Sequence, residues 1–217
     1  MGELAEDLRR IPVFARLPLT FDPTTAPARP QDLFADWLRA AIADGAPEPH
    51  AMVLSTSDAS GHPDARALIL KDVDERGWWF AGSSASPKGT QLAEVPAAAL
   101  TFYWPTLGRQ IRVRGSVEAA GPAESARDFL ARAPGGRAEA LVGRQSEPLA
   151  DPADLRAAFE AAKARVDAEP ESVAPGWTRY VVVPSEVQFF QGDRQRRHVR
   201  LRYQRTGDGW THTLLWP

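Results

Sequence analysis

Two stretches of this 217-residue chain carry groups that could hold an anion and move a proton. In the first, Arg66 and Lys71 bracket the apolar run Ala67 to Leu70, and Ser86-Pro87-Lys88-Gly89 follows a short way downstream. Ser86 has the chemistry of an N-cap and Pro87 that of a first helical residue, so a short helix is expected from Lys88 to Glu94. Such a start turns free N–H groups and a lysine toward a negative charge. In the second stretch, Gln191 to Arg200, strand alternation would put Arg196, His198 and Arg200 on one side. A cation beside an imidazole can orient an anionic substrate and take up a proton. Taken alone, each stretch is equally a capped helix with a solvated lysine or a strand with a wet polar face.

The elements that must position these groups are mostly strands. Apolar and polar residues alternate over Ala51 to Ser57, Ala65 to Asp74, Gly77 to Ala81, Ala97 to Trp104, Arg109 to Ala119, Thr178 to Phe190, His198 to Arg205 and Gly209 to Leu215. The segment Ala67 to Leu70 reads as a buried strand with functional ends. Turn signals at Ser57 to Gly61, Asp74 to Gly77, Thr106 to Gly108 and Thr206 to Gly209 join several of them. Gln31 to Asp44 places Leu33, Phe34, Trp37, Leu38, Ala41 and Ile42 at helical spacing, and helices are also expected over Pro122 to Ala131 and Pro152 to Ala168. Short antiparallel strands in series favour a barrel, because closure removes exposed edges. The expected fold is therefore mainly β with peripheral helices (α+β). Residues 1–30, rich in proline and without periodicity, read as an N-terminal arm, and residues 31–217 as a single domain. In the strand from Arg109, Ile111, Val113 and Val117 face the core while Gln110, Arg112 and Arg114 point the other way. Gln110 offers both donors and an acceptor, which suits the mixed edge of a flavin or a base.

Composition narrows the chemistry. With 26 Lys+Arg against 28 Asp+Glu the formal net charge is -2, so no global field recruits nucleic acid or an acidic membrane. The basic run near Arg196 is short and lacks interleaved aromatics, which also argues against nucleic acid. The absence of cysteine removes disulfides and thiolate chemistry, and the four histidines show no ligand spacing, so no metal is expected. No apolar run approaches a membrane span and no signal peptide is evident, so a cytoplasmic location is expected.

The order of these motifs resembles the pyridoxine (pyridoxamine) 5′-phosphate oxidase family of flavoproteins. The landmarks are Arg66-Ala-Leu-Ile-Leu-Lys71, Ser86-Pro-Lys88-Gly89, Phe102-Tyr-Trp104 with Leu107-Gly-Arg109-Gln110, Arg144-Gln145-Ser146, and Phe189-Phe-Gln191-Gly192 followed by Arg196-Arg-His198-Val-Arg200. The resemblance implies an FMN-binding split β-barrel, a homodimer with FMN in clefts at the subunit interface. By position it assigns FMN contacts to Arg66, Ala67, Leu68, Ile69, Leu70, Lys71, Ala81, Gly82, Ser86, Lys88 and Gln110. It adds Gln145, Ser146 and Arg200, reaching from the partner subunit, and the aromatic wall Phe190. Lys71, Asp128, Arg132 and Gly136 occupy the substrate-phosphate positions, and Arg196 and His198 lie over the reacting carbon.

Several of these positions depart from the family pattern. Ala81-Gly82 stands where the family commonly has Tyr-Thr, Pro87 where it has a basic residue, and Phe190 where it has tryptophan. Asp128 replaces a tyrosine and Gly136 a serine, which puts a carboxylate where a phosphate would sit. The resemblance thus implies an FMN-dependent oxidase that takes a hydride from a small cyclic, aromatic-precursor substrate, with O2 as acceptor and H2O2 as product. An altered phosphate pocket is similar to the family's phenazine-biosynthesis branch, where an anionic carboxylate substrate could use Lys71, Arg132 and Arg196. The alternatives are a genuine pyridoxine/pyridoxamine 5′-phosphate oxidase and a flavin- or haem-binding split-barrel protein without turnover.

Overall fold

The computed structural model describes residues 3–14 and 17–217. Its longest N-terminal helix, α2 (Pro30–Ala43; α1 is Glu3–Arg10), forms where apolar residues recur at helical spacing, and it buries Leu33, Phe34, Trp37 and Ala41. The helix stops as the Asp44 N–H closes onto Ala40 O and Gly45 turns to a φ of 73°. The strands are β1 (Ala51–Ser57), β2 (Pro63–Ile69), β3 (Asp72–Val73), β4 (Trp78–Ser83), β5 (Ala97–Trp104), β6 (Arg109–Ala119), β7 (Trp177–Gln191), β8 (Val199–Thr206) and β9 (Gly209–Leu215). All pair antiparallel in one sheet, in the order β2-β1-β5-β6-β7-β4-β3, with β8 and β9 branching from β7.

The branching curls the sheet into a split barrel. Strand β7 pairs with β4 over Trp177–Val182 and with β8 over Glu186–Gln191, while β6 runs beside it through both parts. The bend between these parts coincides with a register shift at Arg114/Gly115. There a Cβ on Gly115 would lie 1.9 Å from the Val183 carbonyl oxygen, so the two backbones meet only because residue 115 has no side chain.

Inside the barrel the apolar faces close on α2. Phe34 packs edge-on against Trp78 and Phe102 at centroid distances of 5.5 and 4.9 Å, and Trp37 against Phe189 at 5.2 Å. Leu54, Leu100, Ile111, Val113 and Val182 complete this core with no exposure. Helices α3 (Pro87–Glu94) and α4 (Pro122–Leu130) flank the sheet. A separate small cluster, Ala138, Ala162 and Val166 with Leu141, Val142 and Phe159, joins α5 (Pro134–Val142) to α6 (Pro152–Ala168).

Three expectations change. The strand expected over Ala65 to Asp74 is two: after Ile69 the chain leaves β1 and Lys71 N–H bonds to Trp79 O, starting β3 beside β4. The run from Ala67 is also not buried throughout within one chain, since Ala67 and Ile69 are exposed, Leu68 is partly buried against the core and Leu70 is buried in it. β8 begins at Val199, so Arg196 and His198 sit on a loop, and Arg196 has a φ of 64°, which no strand allows. Helix α5 carries Pro134-Gly135-Gly136 in its first turn; the proline suits that turn and the glycines are carried by contact with α6. The arm contains α1 and a 3-10 turn at Pro23–Thr25, and its part at residues 1, 2, 15 and 16 lies outside the described residues.

Gly115→Ala is expected to cost roughly 3 kcal/mol through overpacking at the β6–β7 crossing, read as a lower urea midpoint with unchanged slope.

Candidate functional site

Two cavities collect half of the site residues singled out by the sequence. The first, of about 320 Å³, is lined by Leu68, Gly82, Lys88, Arg132, Gln145 and Trp177, among others. The second, of about 170 Å³, is lined by Gln110, Phe190, His198 and Arg200, with Gln188 and Pro217.

Lys88 dominates the first cavity. Ser86 caps α3 by accepting from Gly89 N–H, and Pro87 holds the first turn, as the sequence leads one to expect. This turns the Lys88 side chain inward, where it is 5% exposed. Its Nζ donates to Ser86 Oγ at 2.9 Å and to Gln145 Oε1 at 3.0 Å. Among the described residues no carboxylate pairs with it. Burial, and then the positive charge of Arg66, hold its pKa below the ordinary lysine value. Gly82 makes the arrangement possible, because a Cβ there would lie 2.7 Å from Lys88 Cε. Gln145 therefore touches the lysine of its own chain, rather than reaching only toward a partner.

Arg66 stands beside this cradle, fixed by donation to Thr56 Oγ1 at 2.6 Å, Gln91 Oε1 at 3.1 Å and the Asp64 carboxylate. Ala81 and Leu68 line the cavity, whereas the Leu70 side chain is in the core and Ala67 and Ile69 face outward. Ser146, with a φ of 71°, follows Gln145 on the exposed loop after α5. The four substrate positions also meet: Lys71 Nζ is 3.5 Å from Asp128 Oδ1, and Arg132 Nη2 donates to Gly136 O at 2.7 Å.

In the second cavity the imidazole of His198 lies between Phe190 and Phe14, at centroid distances of 5.2 and 5.4 Å. The Asp193 N–H donates to its Nδ1 at 3.0 Å, so the neutral ring carries its proton on Nε2. In that tautomer His198 presents a donor at Nε2. Arg200 donates to Gln188 Oε1 at 3.1 Å. Arg196 is exposed on the preceding loop and lines neither cavity.

The two cavities share no lining residue and lie at opposite ends of β7, with Trp177 at one and Phe190 at the other. At about 3.3 Å per residue the strand separates them by up to about 40 Å of contour.

Trp177 and Phe14 escaped the sequence reading. Trp177 carries the signal of a strand-opening aromatic; Phe14, on the aperiodic arm, carries none. Phe14 fits because Gly192 leaves its ring room, a Cβ there lying 2.8 Å away.

Residues 38–183 match the family model for pyridoxamine 5′-phosphate oxidase, and residues 177–217 match that for the pyridoxine 5′-phosphate oxidase C-terminal dimerisation region. The chain belongs to the pyridoxamine 5′-phosphate oxidase family. The dimerisation region supports a homodimer. Pyridoxine/pyridoxamine 5′-phosphate oxidases of Ectopseudomonas mendocina and Thermosynechococcus vestitus are 40% and 42% identical to it. They align over 88% and 87% of this chain and 90% and 89% of their own. Among solved structures, PhzG from Burkholderia lata, in complex with tetrahydrophenazine-1-carboxylic acid, superposes with a TM-score of 0.87 at 29% identity, over 94% of this chain and 100% of that one. A pyridoxamine 5′-phosphate oxidase-related, FMN binding protein from Nostoc punctiforme shares the fold, with a TM-score of 0.72 at 17% identity over 91% and 99% of the two chains.

A nitrogen-resolved NMR spectrum of neutral His198 should show Nε2 protonated and Nδ1 bare; the opposite tautomer would contradict the Asp193 contact.

Proposed function

We propose that this family oxidase is FMN-dependent and takes a hydride from a small cyclic, aromatic-precursor substrate, with O2 as the electron acceptor. The observation that carries the reading is Lys88: a buried cation with no carboxylate partner among the described residues, at a capped helix start beside Arg66, is a site built for an anion. The donor set suits the phosphate of FMN, held by Arg66, Ser86 and Lys88. Leu68, Ala81, Gly82, Gln145 and Ser146 would line the same side, along with the backbone from Ala67 to Lys71. A second chain would bring Gln110, Phe190 and Arg200 to the ring. Bound flavin supplies the hydride acceptor.

The remaining groups act on the substrate. His198 holds its proton at Nε2 and can donate a hydrogen bond to a ring heteroatom while Phe14 and Phe190 fix the imidazole plane. Arg196, exposed at the same loop, is free to meet a carboxylate on the substrate. For each substrate molecule, two electrons and two protons pass to O2 to give H2O2. The similarity to PhzG favours a reduced tricyclic acid, and with it a biosynthetic role. A second reading, a pyridoxine/pyridoxamine 5′-phosphate oxidase, is favoured by the curated relatives at about 40% identity. Against it stands Asp128, which already occupies Lys71.

Lys88→Met should weaken FMN binding about 10- to 100-fold, the worth of a charge-assisted hydrogen bond of about 1.5–3 kcal/mol, read by quenching of flavin fluorescence. FMN binding should also fall as pH rises, because the protonated lysine is the binding form. Its lowered pKa places that loss below the 10.5 of an ordinary lysine; affinity flat up to that value would refute the assignment. Arg196→Ala or His198→Ala should cut O2 uptake with tetrahydrophenazine-1-carboxylic acid by about 100-fold with bound flavin unchanged. Flavin loss with normal turnover per remaining flavin would contradict these roles.

A further inference from the structure

The link from β7 to β8 carries Arg196 and His198, and a single residue folds it. The chain leaves the sheet after Gln191 and rejoins it at Val199, and Arg194, Gln195, Arg196 and Arg197 between them are exposed. Packing therefore does little to fix the tip of this link. Asp193, half-buried at its start, makes a hydrogen bond to each of the residues from Gln195 to His198. Its Oδ1 accepts from Gln195 N–H at 2.8 Å and from Arg197 N–H at 3.2 Å. Its carbonyl accepts from Arg196 N–H at 3.1 Å, and its own N–H donates to His198 Nδ1 at 3.0 Å. The base of the link is held separately, by Gly192 N–H on Gly108 O at 2.7 Å.

These bonds bear on both groups. Arg196 has a φ of 64°, a left-handed backbone that any side chain disfavours. The bonds at residues 195, 196 and 197 close the turn that keeps it there, and aspartate suits the task because its short side chain reaches backbone N–H groups just downstream. At His198 a backbone N–H can only donate, so the nitrogen it meets is the bare one. Phe14 and Phe190 pack against the imidazole but offer no polar group to choose between its two nitrogens.

We infer that Asp193 is a positioning residue, whose carboxylate oxygen folds the link so that His198 keeps its proton on Nε2 and Arg196 its left-handed backbone. The catalytic value of those two groups rests on the oxidase reading; the folding of the link does not. What the side chain supplies is an acceptor in the right place rather than a charge, since Oδ1 serves backbone N–H groups. An amide oxygen at the same reach serves as well, and a carboxylate one methylene further out does not.

Nitrogen-15 NMR of the histidines tests this, with the His198 signals identified by their loss in His198→Gln. Neutral His198 should carry its proton on Nε2 in the natural chain and in Asp193→Asn, whereas the Nδ1-protonated form should appear in Asp193→Ala and Asp193→Glu. Turnover of tetrahydrophenazine-1-carboxylic acid per bound flavin should fall about tenfold in the alanine and glutamate variants, the worth of about one hydrogen bond, with flavin content unchanged. Asp193→Asn should recover it to within about threefold. An unaltered tautomer in Asp193→Ala and Asp193→Glu, or an altered one in Asp193→Asn with unchanged circular dichroism, would overturn the inference. The tautomer is read without turnover, so a tautomer that follows the acceptor in a chain that oxidises nothing would support the positioning role and count against the oxidase reading alone.

Discussion

Everything in this fold hangs on the double partnership of β7. A strand of 15 residues is hydrogen-bonded along its length to β6, yet changes its other neighbour from β4 to β8 at its middle. That change is what opens the barrel, and it is permitted by the contact of Gly115 with the Val183 carbonyl. It also sets the distance between the cavities. Trp177 opens the strand beneath one and Phe190 closes it beside the other.

Four cations receive three different treatments. Arg109, 4% exposed, lies over the Trp37 ring at 4.1 Å and donates to Gln191 Oε1 and Thr20 O, neutral acceptors that tie the arm and the end of β7 together. Burial pushes its pKa down to about 10. Arg132 and Lys71 are balanced by carboxylates and an indole. Among the described residues Lys88 has only neutral partners, with an open cavity before it. A buried charge without a counter-charge is costly unless something supplies one. Lys88 and Arg132 thus line one cavity with different compensation, though both are cations.

The sequence by itself determined the local elements. Helix α2 and most strands follow from hydrophobic period, and the α3 start from the chemistry of Ser86 and Pro87, because these signals act within a few residues. It also specified the family, since the order of Arg66, Lys88, Gln110, Gln145 and Arg200 is a property of the chain alone.

Tertiary structure decided the rest. Whether Ala67 and Ile69 are buried depends on what packs outside β2, and period two cannot tell an inner face from one left for another chain. Helix α5 exists because α6 covers it, despite two glycines in its first turn. The state of His198 depends on a backbone N–H contributed by Asp193, and that of Lys71 on Asp128, 57 positions away in sequence. Side-chain charge is legible in a sequence, but its partner is not, because compensation is a matter of distance in space. Hence the chain told where cations would gather, and only the fold decided which of them remain available to a ligand.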